Sequence, residues 1–149
     1  MHVALVTAAF PEPNPGRYPG IERLALELTD SLLSLGVKVT IVTTFWNGGA
    51  REGRHGTARV ARVLDTSMFL KRWGAIADAH YWSWGYGVAR ALRAMRPTGR
   101  PDVVHALSPV AATPGLVRSG LPVITTFHHH EGLRGWTELL YKPAHKILE

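Results

Sequence analysis

The sequence of 149 residues contains no cysteine, so disulfides, thiolate metal sites and a thiol nucleophile are excluded. It also contains no apolar run long enough to cross a membrane. Residues 1–9 are mostly apolar but lack the basic start and the small-residue cleavage pattern of a secretion signal. These absences favour a cytoplasmic protein.

Acidic residues are scarce. The chain has 11 Asp and Glu against 17 Lys and Arg, a net charge of +6. An excess of this size favours an anionic partner, and nucleic acid, a membrane surface or a phosphorylated substrate would each satisfy it. The length fits one domain, residues 1–149, which can bury a core without cross-links.

The first part of the chain has the pattern of a strand, a helix and a second strand. Residues 2–8 and 37–44 are apolar runs rich in β-branched residues, which predicts strands. Between them, apolar residues recur at helical spacing over residues 21–35, and Gly36 is expected to end this helix as a left-handed cap. Such a βαβ unit places its two strands in parallel.

The rest of the chain continues the alternation and predicts an α/β domain with a mostly parallel sheet. Further strands are expected over residues 57–64, 102–107 and 121–127. Helices are expected over residues 87–96, 110–119 and 136–146, a partial helix over 68–86, and a glycine-rich loop over 47–56.

The predicted strand over residues 121–127 leads into three histidines, His128 to His130. Its apolar residues occupy both faces, which indicates a strand covered by helices on both sides. His128 would then lie at the carboxyl edge of the sheet, where open α/β sheets bind ligands. The alternative is an ordinary surface turn.

His128 and His130 could share a metal ion, but no carboxylate spacing completes a coordination shell, so no metal is predicted.

A second candidate site is Gly20-Ile21-Glu22 at the start of the first helix. A helix N-terminus favours anions, and glycine lets a ligand approach the backbone closely. The alternative is that Gly20 makes the turn and Glu22 is simply an acid placed favourably at a helix start. The three-glycine dinucleotide fingerprint is not present here, so a dehydrogenase is disfavoured and no cofactor is predicted.

Several short motifs in order resemble the retaining glycosyltransferases of GT-B fold that include phosphatidylinositol mannosyltransferases and sucrose synthases. They are Phe10-Pro11, Pro19-Gly20-Ile21-Glu22-Arg23, Glu27-Leu28, residues 36–43, Pro101-Asp102-Val103-Val104-His105 and residues 122–128. The resemblance implies the N-terminal, acceptor-side Rossmann-like half of an enzyme that moves a sugar from a nucleotide-sugar donor with retention. It also implies that the C-terminal nucleotide-sugar-binding domain is absent from this chain, and that no metal is needed.

The resemblance assigns roles to individual residues. Gly20 matches the second glycine of the family's Gly-Gly loop, which contacts donor phosphates or acceptor, and Pro19 replaces the first glycine. Because proline has no N–H, one phosphate contact is lost. His128 matches the histidine that hydrogen-bonds the transferred sugar, and His129 and Ser108 would face the acceptor side of the same cleft.

His105 receives no catalytic role from the resemblance. The family often carries a further histidine shortly after this position, and Leu107 takes that place here. A structural, buried histidine is therefore the expectation for His105.

Lys71, Arg72 and Trp73 lie in a stretch that mixes basic and aromatic residues. They are candidate contacts to an anionic membrane or a lipid-linked acceptor, which would place the protein peripherally at the inner face of the membrane. Two alternatives stay open: ordinary core and solvated surface, or a stand-alone module that binds anions or, less favoured, nucleic acid without catalysis.

Overall fold

The protein is described by a computed structural model. The residues described are 1–8, 10, 20–45, 50–64, 77–95, 99–107, 116 and 119–126, and for residues 64 and 77–83 the backbone alone is described. The expected helices over 110–119 and 136–146 lie largely or wholly outside these residues, as does the first part of the expected helical region over 68–86.

Within this part of the chain, six strands form one sheet and two helices pack on it. The elements are β1 His2–Val6, α1 Ile21–Ser34, β2 Lys38–Phe45, β3 Glu52–His55, β4 Ala58–Leu64, α2 Ala77–Ala94, β5 Val103–Ala106 and β6 Val123–Thr125. The strand order is β3-β4-β2-β1-β5-β6. Every neighbouring pair is parallel except β3 with β4. The predicted α/β fold with a mostly parallel sheet is confirmed.

The two faces of the sheet carry separate apolar clusters, which makes three layers. Along β1, Leu5 belongs to the cluster that includes Ala25 of α1, whereas Ala4 and Val6 belong to the cluster that includes Trp84 of α2. This alternation follows from the period of two in a strand. Since both faces of β1 are buried, its near-continuous apolar sequence is explained.

Helix α1 ends in the way that the sequence predicts. Gly36 has a φ of 72°, its N–H donates to the Leu33 carbonyl at 3.0 Å, and the Val37 N–H donates to the Leu32 carbonyl at 3.0 Å. This pair of bonds is the Schellman motif, in which glycine adopts the left-handed conformation without a Cβ clash. The chain then enters β2 at Lys38.

The expected loop over residues 47–56 is wrong in its second half, because Glu52–His55 forms strand β3. This strand pairs antiparallel with β4 through the two-residue turn Gly56-Thr57, where Gly56 has a φ of 56°. An edge strand needs little apolar sequence, since charged side chains protect its open side. The charges and glycines that suggested a loop are thus those of an edge hairpin.

The expected strand over residues 121–127 is shorter and more exposed than predicted. Strand β6 has three residues and is the outermost strand beside β5 in the described sheet. The side chain of Ile124 is 57% exposed. The prediction of burial on both faces fails because an apolar run does not reveal whether its strand lies at the centre or the edge.

Helix α2 joins two regions that the sequence treats separately. It is continuous through Gly85 and Gly87, where a new helix was expected to start. Trp84, Val88 and Leu92 are buried and pack on the sheet, and this burial outweighs the loss of about 1 kcal/mol for each interior glycine. Trp84 is therefore a core residue, whereas Tyr86 is exposed.

Candidate functional site

The strand order reverses direction at β1, whose neighbours are β2 on one side and β5 on the other. Open α/β sheets bind ligands at such a point, outside the carboxyl ends of the strands. Here the ladder continues one residue beyond each strand: the Thr7 N–H donates to the Val42 carbonyl at 3.1 Å, and the Leu107 N–H to the Val6 carbonyl at 2.9 Å. Thr7 and Leu107 are almost fully buried, so the backbone just beyond these two strands is held in place.

Helix α1 brings its N-terminus toward the same edge. It has 14 residues, about 21 Å of helix, and its C-terminal cap leads directly into the amino end of β2. The helix therefore runs back across the sheet, antiparallel to the strands. Its first N–H groups have no intrahelical partners and present a partial positive charge at the carboxyl edge.

Gly20 is the residue before this helix, with φ 77° and ψ −118°. This combination is open to glycine and strongly disfavoured for other residues. A Cβ placed on Gly20 would meet no atom of the described residues within 4 Å, so glycine is required by the backbone conformation and, within this part of the chain, the space above it is open. The Gly20 carbonyl accepts the first helical bond from the Leu24 N–H at 3.2 Å.

Ile21 and Glu22 form the first turn after Gly20, and both are half-buried. Ile21 packs against the apolar cluster beneath α1. The Glu22 carboxylate makes no ion pair or hydrogen bond with the described residues, and it lies where the helix dipole favours a negative charge. It is available to accept hydrogen bonds from a ligand that carries hydroxyl groups.

The end of β6 is held to β5 by two hydrogen bonds. The Thr126 N–H donates to the Ala106 carbonyl at 2.9 Å. The Oγ1 of Thr126 also lies 2.8 Å from the Nε2 of His105, which is half-buried. This side-chain bond gives His105 a structural role, although the residue is half-buried and not buried as expected. It also fixes the backbone two residues before His128 in the chain.

Of the predicted site residues, the structure places Gly20, Ile21 and Glu22 together at the start of α1. His128, His129 and Ser108 lie outside the described residues, and so do Lys71, Arg72 and Trp73. The described chain nevertheless reaches Thr126, just after β6, and Leu107, just after β5, both at the carboxyl edge. The assignments of those six residues remain predictions.

Three threonines at the carboxyl ends of β1 and β2 were not predicted from the sequence to lie at the candidate site. Thr7 follows β1, and Thr43 and Thr44 lie near the end of β2; all three are buried. The Oγ1 of Thr43 has no hydrogen-bond partner among the described residues. The signal was a polar β-branched residue at the carboxyl end of two successive apolar runs, which indicates the polar edge of a buried sheet.

The described residues hold no group of three or more His, Cys, Asp or Glu side chains arranged to bind a metal ion. In the same part of the chain, no helix combines the length and the apolar character that spanning a membrane requires.

Comparison with known proteins extends these observations. A model of the family described as Glycosyltransferase Family 4 matches residues 18–149. Sucrose-phosphate synthase from Thermosynechococcus elongatus has a similar structure, with a TM-score of 0.69 over 97% of this chain at 14% sequence identity. The chain spans 39% of the length of that structure. No curated protein sequence matches. The predicted Rossmann-like GT-B half is confirmed at the level of fold.

Proposed function

The chain belongs to Glycosyltransferase Family 4, and we propose that it is the N-terminal, acceptor-side domain of an enzyme that transfers a hexose from a nucleotide-sugar donor with retention. In this proposal residues 1–149 form one wall of the cleft. A C-terminal domain that binds the nucleotide sugar, and that is not contained in this chain, forms the other wall. The proposal assigns no metal or other cofactor to residues 1–149.

The observation that carries the proposal is that α1 begins at Gly20, with open space above this glycine, at the carboxyl edge of the sheet. The open space above Gly20 lets a ligand reach the first amides of the helix, which suit a donor phosphate. The Glu22 carboxylate beside them repels phosphate but accepts hydrogen bonds from hydroxyl groups. We therefore favour contact with the hydroxyl groups of the acceptor at Glu22 and contact with phosphate at the Gly20 amide.

His128 is proposed as the catalytic residue. In sugar transfer, positive charge develops on the sugar ring while negative charge develops on the departing phosphate, so groups fixed in place around the sugar lower the barrier. A hydrogen bond from His128 to the transferred sugar would be one such group. Ser108 and His129 are proposed to contact the acceptor. The two bonds that hold Thr126 would stabilise the chain that carries His128 and His129.

The chain alone is expected to be inactive, because one wall of a cleft cannot exclude water or fix charges on both sides of the sugar. The proposal is tested in the complete enzyme with a panel of radiolabelled UDP- and GDP-sugars. His128→Ala should lower kcat by about 100-fold, the usual loss of one fixed hydrogen-bond donor. His130→Ala, a matched change two residues away, should leave kcat nearly unchanged. Equal turnover of the two variants, or transfer by the chain alone, would refute the proposal.

We further propose that the acceptor is linked to a lipid and that the protein works in the cytoplasm at the inner face of the membrane. Lys71, Arg72 and Trp73 would contact the anionic surface, where each cation contributes about 1 kcal/mol and tryptophan prefers the headgroup level. In co-sedimentation at low salt, the wild type should pellet with phosphatidylglycerol vesicles, while Lys71→Glu/Arg72→Glu stays in solution. Arg90→Glu/Arg93→Glu, on the exposed side of α2, is the matched control. Equal pelleting of all three proteins would contradict this assignment.

A further inference from the structure

The sheet has a cavity of about 90 Å³ at the edge opposite to Gly20. It lies at the amino ends of β1, β2 and β4, where His2 pairs with Lys38 and Thr40 pairs with Arg59. Thr57 and Gly99 complete the part of the lining that matters for binding. The proposed transfer reaction takes place at the other edge of the sheet, so this cavity is separate from it.

Two cationic residues, Lys38 and Arg59, line the cavity. The Nζ of Lys38 lies 2.9 Å from the position that a Cβ on Gly99 would occupy, so the ammonium rests against the glycine backbone. Lys38 makes no ion pair or hydrogen bond through its side chain with the described residues. Arg59 donates from Nη2 to Glu52 at 2.6 Å, and its other N–H groups are not used in that bond.

The rest of the lining combines the polar side chains of His2, Thr40 and Thr57 with two apolar ones, Val39 and Met95, and it carries no carboxylate among the described residues. The Nε2 of His2 lies 2.8 Å from the Oγ1 of Thr40, and both side chains are buried. Burial lowers the pKa of His2, and the positive charge of Lys38 lowers it further, although Asp102 acts in the opposite direction. Two carboxylates contact lining residues from outside the cavity: Asp102 accepts the His2 backbone N–H at 2.7 Å, and Glu52 accepts from Arg59 at 2.6 Å.

We propose that this cavity binds one tetrahedral oxyanion, phosphate either free or as the end of a phosphomonoester, between Lys38 and Arg59. Its volume is several times the roughly 10–15 Å³ that one buried water needs, so a group larger than a water, such as one phosphate, fits in it. An ammonium and a guanidinium form charge-assisted bonds with phosphate oxygens, and the Thr57 hydroxyl adds a donor.

Compensation of helix dipoles does not account for this arrangement. Helix α1 ends at this edge, so one cation beside its last carbonyls would be expected without any ligand. A second cation and a cavity kept open by glycine go beyond that need. The close approach of Lys38 to residue 99 also means that a side chain there would push the ammonium out of its place.

The experiment is an amide NMR titration of the chain with inorganic phosphate and, separately, with glycerol 3-phosphate, with sodium chloride adjusted to keep ionic strength constant. Saturable shifts are expected at the amides of Thr40, Thr57 and Gly99, together with a rise in the pKa of the His2 imidazole as phosphate binds. Binding of the phosphomonoester at lower concentration than phosphate identifies an ester as the ligand, and the reverse order identifies the free ion.

Lys38→Gln should weaken binding about tenfold or more, because it removes a charged donor. Arg90→Gln removes the same charge from the exposed side of α2 and should bind like the wild type. Arg59→Gln provides a second variant if Lys38→Gln melts at a lower temperature. No saturation with either compound, the same shifts with chloride alone, or equal affinity of the Lys38 and Arg90 variants would overturn the proposal.

Discussion

One row of side chains crosses the sheet, buried over three strands and exposed at its far end. Register places five residues side by side on the α1 face, in the order Val60, Ile41, Leu5, His105 and Ile124. The first three are at most 2% exposed, His105 is half-buried, and Ile124 is 57% exposed. Helix α1 covers the β4-β2-β1 side of the row, while on the other side His105 hydrogen-bonds to Thr126, just after β6. The β4-β2-β1 side of this face is therefore the buried part that stabilises the fold. On the β5-β6 side, a side-chain hydrogen bond holds the edge of the sheet.

The largest expected difference is between the two isoleucines of this row. Ile41→Ala should lower the free energy of unfolding by about 2–5 kcal/mol, since it leaves a cavity under α1. Ile124→Ala makes the same chemical change at an exposed position and should cost no more than about 0.5 kcal/mol. Urea denaturation of both variants measures the difference. Equal losses would mean that the exposed half of the row is covered in solution.

A smaller effect is expected at the two ends of α1, the helix that covers the buried half. Gly36→Ala and Gly20→Ala each force a residue with a Cβ into a positive φ, at 72° and 77°. Gly36→Ala should cost about 1–2 kcal/mol in stability. Gly20→Ala should cost about 1–3 kcal/mol, because its ψ of −118° lies outside the left-handed helical region. In the complete enzyme, only Gly20→Ala should also lower the rate of sugar transfer, because Gly20 faces the proposed cleft. If the Gly20→Ala and Gly36→Ala enzymes transfer sugar at the same rate, Gly20 is not part of the site.

The buried half of the row is also the half that could be predicted from sequence. The strands β1 and β2, the helix α1 and its cap at Gly36 follow from local periodicity and from glycine chemistry. These signals lie within a few residues of each other in the chain. They are therefore visible without any knowledge of which strands become neighbours.

The edges could not be predicted in the same way. Whether Glu52–His55 is a loop or a strand depends on its pairing with β4, and the exposure of Ile124 depends on what lies over the sheet. The candidate site shows the same division. The start of α1 at Gly20 was placed correctly, but the bond between His105 and Thr126 joins residues that only the fold brings together.

The smallest expected effect is a pH dependence of stability at one of two similar histidine–threonine pairs. His2 with Thr40 and His105 with Thr126 each span 2.8 Å between neighbouring strands, at opposite edges of the sheet, but His2 is buried and His105 is half-buried. Burial, reinforced by Lys38, lowers the pKa of His2 below 6.5 in the folded chain. Below pH 6.5 the unfolded chain therefore binds a proton that the folded chain does not, so stability falls as the pH falls.

This loss should approach about 1.4 kcal/mol per pH unit at most, and it should stop once the pH passes below the folded pKa. Urea denaturation at pH 8 to 5 of the wild type and His2→Gln measures it. The difference in stability between the two proteins should be constant from pH 8 to 7.5, where His2 is neutral in both states, and should shrink as the pH falls. A constant difference over the whole range would show that the His2 ring takes up its proton as readily in the folded chain as in the unfolded chain.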